Sequence, residues 1–251
     1  MTDTRRVEDL ANFGKPLIEF PKKAQRQQAR IFMSEIRKRY GTFGLVRFFV
    51  RVFVERRRLK HEYTAVFSRL QRIMGPGAVK ETLMLVSMFN VIARLEGRED
   101  AYPVIQSMTE KVAPYSMRAM YQVDDLVRCE GDVFDNFKKF HMAMFNADAM
   151  QPIFRNTQTE ADDHFTTTVD ECINVEVFAE LDCPELAPFG CDHDLAGYPA
   201  IADSVEAEFR RPCTIAKGAE TCEFRFYRKG TAPDTELIGG VPVKWEASLN
   251  R

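Results

Sequence analysis

The chain has 251 residues, 45% hydrophobic and 29% charged, with 13 glycines, 12 prolines and a formal net charge of −2. It is too apolar for a disordered chain and long enough to bury one large core or two modest ones. The near-zero charge is a cancellation. Residues 1–80 carry 19 Lys/Arg against 7 Asp/Glu, whereas residues 81–251 carry 16 against 30.

The most apolar window, residues 45–54, is interrupted by Arg47 and Arg51, so no membrane span is expected. The polar start, residues 1–9, lacks an apolar signal core, and the six cysteines include no close pair. Both features lead us to expect a cytoplasmic protein with free thiols.

In chain order, helical spacing dominates from Lys22 to about Asn146. Ala29, Ile31, Phe32, Ile36 and Tyr40 mark one helix. Val46, Phe49, Val50 and Phe53 open a second that is expected to continue through Tyr63 to Leu70. The Met74-Gly75-Pro76-Gly77 run breaks the pattern. Residues 79–95 are apolar almost all round and predict the most buried helix. Two more helical segments are predicted at 104–112 and 115–145, the latter with a Phe134, Phe137, Phe140 and Met144 stripe.

Residues 147–163 are polar and read as a connector. Phe165 to Val169 have β-branched strand chemistry, a short helix is predicted over 172–181, and the Pro- and Gly-rich stretch 184–199 reads as a long irregular loop. Strands are predicted over 205–216 and 221–228, paired antiparallel across a hairpin-length connection. In the second, Cys222, Phe224 and Phe226 share one face, and Glu223, Arg225 and Tyr227 the other. The expected fold class is α+β: a helical N-terminal region (1–146) packed on a small antiparallel sheet with short helices (164–251).

The basic amphipathic segment 45–60 has two readings. One is a core-facing helix whose arginines pair with the acidic C-terminal region or dock on a second subunit, making a homo-oligomer. The other is a helix that lies on an anionic membrane. Nucleic acid is not an expected partner, because no helix-turn-helix, zinc-finger or aromatic-basic strand motif accompanies the charge.

Residues 172–228 hold five of the six cysteines, the Gly190-Cys191-Asp192-His193-Asp194 run, and Arg210, Arg211 and Arg225. A thiol, an imidazole and two carboxylates this close can supply a nucleophile, a proton carrier and a group that orients it. Packing of the thiols as small apolar groups, or capping of a turn by Asp192, needs no function. Metal binding is a rival use: Cys172, Cys191 and Cys222, with Asp194 or His193, would suit zinc or iron, but their wide spacing is unlike the close pairs of structural zinc sites. No cofactor is expected.

The order of these residues resembles the L-2-amino-thiazoline-4-carboxylic acid hydrolase family. The match runs from Cys172 at a helix start, through Pro184-Glu185-Leu186 and Cys191-x-x-Asp194, to Phe209-x-Arg211-x-x-Thr214-x-Ala216-x-Gly218 and Cys222-x-Phe224-Arg225-Phe226. Asp192, His193 and Cys213 stand outside that pattern. The resemblance implies a small-molecule enzyme that opens a thiazoline ring by hydrolysis to an N-carbamoyl amino acid, classed as hydrolysis of a carbon–nitrogen bond in a cyclic or amidine-like substrate. On this reading Cys191 is the nucleophile or lies beside the attacked carbon, and Asp194 or His193, beside Asp192, carries the proton. Arg211 or Arg225 holds a substrate carboxylate, with Thr214, Cys172 and Cys222 lining the site. A lyase acting on a small aromatic or carboxylated molecule, or a non-catalytic ligand or metal sensor, are the alternatives.

Overall fold

The computed structural model describes residues 5–15 and 22–250; the first four residues of the polar start and residues 16–21 of the helical region lie outside the described residues. Two long bent helices come first. Helix α1 (Lys22–Glu62) turns at Gly41, and α2 (Thr64–Glu96) turns at Gly75, so the expected break at 74–77 is a kink between two helical arms. Pro76 has no N–H to give and its ring would strike the preceding turn of a straight helix. Gly75, with φ 82° and ψ 176°, absorbs the change of direction in a conformation nearly closed to other residues. The second helix does not run through to Leu70 as expected. Tyr63 leaves helical geometry and separates α1 from α2.

Helix α3 (Arg98–Met120) carries Pro103 and Pro114 inside it, so the expected interruption near residue 114 falls later. It comes at Gln122, which takes a left-handed φ of 47° before the short α4 (Val123–Leu126). Asp132 then starts α5 (Val133–Asn146) by accepting the Asp135 backbone N–H at 3.0 Å. The predicted stripe of Phe134, Phe137, Phe140 and Met144 is buried, as are Leu83, Val86, Met88, Phe89, Val91 and Ile92 in the second arm of α2.

The sheet has four antiparallel strands in the order β1 (Phe154–Glu160), β2 (His164–Cys172), β4 (Cys222–Arg228), β3 (Ala207–Arg210). Strand β1 lies in the stretch expected as a connector. Its polar residues have work to do there: Asn156 donates to the Phe145 carbonyl at 3.1 Å and Gln158 accepts from Asn146 at 3.0 Å, so the strand caps the open end of α5. Between β2 and β3 lie α6 (Ile173–Glu180) and α7 (Phe189–Val205).

Helix α7 replaces most of the expected irregular loop. Pro188 and Gly190 sit at its start, where a helix needs no N–H partner, and Gly197 marks its tight approach to α3. A Cβ on Gly197 would lie 2.8 Å from Met117 Cε and 3.3 Å from the Ala113 carbonyl. Strand β3 is much shorter than predicted. Pro212 cannot donate to the ladder, and the chain leaves the sheet at Arg211.

The inner face of the sheet packs on α5 and α7. Phe165 and Phe226 stack with centroids 4.7 Å apart, Phe137 meets Phe226 edge-on at 5.4 Å, and Tyr198 lies 4.6 Å from Phe209. The outer face carries Glu223, Arg225 and Tyr227 toward the hairpin of β5 (Thr235–Ile238) and β6 (Val241–Lys244). The molecule is thus α+β, with one buried apolar cluster running from Val7 through the helices to Phe226.

Candidate active site

The ends of several elements meet at one edge of the sheet. In the β2–β4 register Val169 faces Cys222, so the last turn of β2, with Cys172, lies beside the first residue of β4. Cys172 also precedes α6, Cys191 to Asp194 lie in the first two turns of α7, and Arg211 to Thr214 follow β3. Residues distant in the chain are brought together because antiparallel pairing returns the chain to the same edge.

Arg211 is the centre of this cluster. Its Nη1 donates to Asp194 Oδ2 at 2.5 Å, its Nη2 lies 3.7 Å from Cys191 Sγ, and its guanidinium sits 4.1 Å from the Phe224 ring centroid. The Asn250 side chain accepts its backbone N–H at 2.6 Å. Arg211 is only 3% exposed, yet its Nε has no hydrogen-bond partner; three residues on, the buried Thr214 hydroxyl also has none. Buried donors without partners are costly and uncommon, and they mark where a ligand group would be accepted.

Burial opposes a charge on Arg211, but Asp194 together with Cys191 and Cys222 outweighs it and raises the guanidinium pKa further. For Cys191, burial dominates and pushes the thiol up to about 12 against the pull of Arg211. Cys191 therefore holds its proton near neutrality. Cys172 is raised by burial in the same way, with the backbone N–H groups of Val175 and Asn174 opposing. Cys172 and Cys222 lie within electrostatic range of Cys191, and the Cys222 sulfur accepts the Ile215 N–H at 3.2 Å.

The other residues of the run point elsewhere. Asp192 is buried against α3, bonded to the Tyr102 hydroxyl, and burial raises its pKa. His193 bonds Ser116 on α3 through Nε2, and its Nδ1 lies 3.7 Å from Asp194 Oδ1. The structure thus brings together Cys191, Asp194, Arg211, Thr214, Cys172 and Cys222, and it turns Asp192 and His193 toward α3. It separates Arg225. That side chain projects from the outer face, paired with Glu223 and with Glu236, so of the two arginines offered for a substrate carboxylate only Arg211 lies in the cluster, as the alternation of β4 requires.

Tyr102 and Ser116 escaped sequence reasoning. A signal was present: Tyr102, Thr109 and Ser116 recur every seventh residue along α3, a polar row on an otherwise apolar face. Behind the cluster lies a buried polar network in which the Tyr121 hydroxyl is 2.7 Å from His141 Nδ1 and 2.8 Å from the Tyr198 hydroxyl, and His141 Nε2 is 3.1 Å from Thr167 Oγ1.

Among the described residues, no three His, Cys, Asp or Glu side chains are arranged to hold a metal ion. The Arg211 guanidinium, 3.7 Å from Cys191 Sγ, already sets a positive charge beside that thiol. Two surface clefts lie apart from the cluster, one of about 120 Å³ beside Arg69 and Glu171 and one of about 390 Å³ beside Glu35 and Asp100. Neither is lined by a cysteine, and the Arg211 cluster itself reaches solvent at Asp194 and His193, each about a fifth exposed.

No curated protein and no solved structure matches the chain. The family model described as L-2-amino-thiazoline-4-carboxylic acid hydrolase matches residues 77–226, from the second arm of α2 to Phe226 in β4, and so takes in every residue of the cluster except Asn250. Over that span the chain belongs to the L-2-amino-thiazoline-4-carboxylic acid hydrolase family.

Proposed function

We propose that the protein is a hydrolase of small, carboxylated cyclic amidines, acting at the Arg211 cluster in a compartment where thiols stay reduced. The unpartnered Nε of the buried Arg211 carries this reading. A substrate carboxylate would complete the guanidinium's hydrogen bonds, and it would place the ring against Cys191. The six free cysteines accord with a reducing location.

In the reaction, the Cys191 sulfur adds to the ring carbon between the heteroatoms and its proton passes to Asp194. A protonated amidine brings positive charge to the thiol and offsets the burial that otherwise keeps it protonated. The ring opens, and the departing heteroatom takes the proton from Asp194. Water then displaces Cys191 from the carbon, restoring the thiol. In an aminothiazoline this balance breaks the carbon–sulfur bond and leaves both carbon–nitrogen bonds in an N-carbamoyl product, so carbon–nitrogen cleavage belongs to all-nitrogen rings. The lyase and sensor alternatives have no comparable observation in their favour.

The test is release of free thiol from 2-amino-thiazoline-4-carboxylate by the full chain. Cys191→Ser and Asp194→Asn should each lower kcat by roughly 10²- to 10⁴-fold, the first with an unchanged thermal transition and the second with a lowered one, because it leaves the buried Arg211 charge unanswered, and Arg211→Lys should act mainly on KM. Full turnover by Cys191→Ser sinks the covalent role. If neither this ring nor its all-nitrogen analogue is opened, the hydrolase reading is wrong.

A further inference from the structure

The second arm of α1, residues 42–62, has two faces. Phe48, Val52, Glu55 and Leu59 are buried toward the rest of the molecule. At 100° per residue the opposite face runs through Phe43, Val46, Arg47, Val50, Arg51, Phe53, Val54 and Arg57, all exposed. Phe43 is 89% exposed and Phe53 58%. Five bulky apolar side chains left in water along one helix face are unusual for a free surface.

The charge on this face has one sign. From Ile36 to Val54 there is no acidic residue. The segment's acids are engaged elsewhere: Glu55 is buried and bonded to Arg58, Arg94 and Asn90, while Glu62 pairs with Arg58 at the helix end. Arg47 and Arg51 have no ion-pair partner among the described residues, which removes the expectation that the arginines of this segment dock on the acidic C-terminal region. Arg57 lies over the Phe53 ring at 5.4 Å, so its charge and the ring present a common surface.

From these features we infer that this arm of α1 is a binding surface for an anionic lipid bilayer, on which it lies flat. A bilayer of acidic phospholipids satisfies both chemistries at once: the apolar side chains enter the boundary between headgroups and chains, and the arginines meet lipid phosphates. The alternatives meet only part of the pattern. A two-fold contact with a second copy would set arginine beside arginine with no acid on the face to answer them. Nucleic acid would leave Val46, Val50, Phe53 and Val54 without a role. The arm is about 31 Å long and lies on the surface without crossing, in keeping with the absence of any helix long and apolar enough to span a membrane among the described residues.

Co-sedimentation of the full chain with vesicles tests this. The chain should bind vesicles of phosphatidylglycerol and phosphatidylcholine in equal parts, release them in about 0.5 M salt, and ignore phosphatidylcholine alone. Arg47→Gln with Arg51→Gln should weaken binding roughly thirtyfold, and Val50→Ser with Phe53→Ser at least tenfold, with unchanged thermal transitions because all four positions are exposed. Three results would overturn the inference: no binding to anionic vesicles at low salt, equal binding to neutral ones, or a soluble dimer in sedimentation that these same substitutions dissolve.

Discussion

His141 shows what burial does to a single side chain. It is wholly enclosed between Tyr121, Thr167 and the aromatic residues of the inner sheet face, and burial holds its pKa at about 3, far below the ordinary 6.5. The folded chain therefore refuses a proton that the unfolded chain accepts. Stability is fully present above pH 6.5 and falls as the pH drops from there toward 3. Between pH 7 and pH 5 the loss should be about 2 kcal/mol, measured by urea unfolding. His141→Gln should start less stable and lose this dependence; an unchanged pH slope would show that the proton uptake lies elsewhere. Cys191 obeys the same physics with a different result, since burial keeps its thiol protonated and makes its reactivity depend on what binds beside it.

The two bends in the helical half decide how the elements lie. Gly41 and Gly75 adopt nearly the same conformation, φ 73° and ψ 179° against φ 82° and ψ 176°, and each lets one helix continue in a new direction. At Gly75 a Cβ would meet no atom within 4 Å, so a substitution is penalised through the backbone alone. Gly75→Ala should cost about 1–3 kcal/mol, seen as a fall in Tm of roughly 3–10 °C. An unchanged Tm would mean that the arms of α2 reorient freely. The Met74–Gly77 run announced this break from composition alone, because Gly and Pro act locally. Helix α7 is the opposite case. Its Gly190, Gly197 and Pro199 have loop composition, and the helix persists because it packs tightly on α3, where the absent Cβ of Gly197 is an advantage.

Across the whole molecule, the division between a basic first third and an acidic remainder suggested two complementary surfaces. The ion pairs that join them, such as Arg39 with Glu96 and Arg69 with Glu180, lie at the surface with both residues partly in water. Such pairs contribute about 0–1 kcal/mol each. Raising salt to about 1 M should therefore move Tm by no more than a few degrees; a large fall would restore electrostatic docking as the main cohesive force. The apolar cluster from Val7 to Phe226 holds the molecule together instead. The sequence alone made the α+β class, the buried arm of α2, the Phe stripe of α5 and the two faces of β4 legible, because periods of 3.6 and 2 are written in neighbouring residues. It also contained the ordered series Cys172, Cys191, Asp194, Arg211, Cys222. Only the tertiary structure decided that Asp194 and Cys191 share the guanidinium of Arg211, that Arg225 is held by Glu236 of β5, and that Arg47 and Arg51 face outward with no ion-pair partner among the described residues. Those outcomes depend on antiparallel register and helix packing between residues far apart in the chain, which no local pattern encodes.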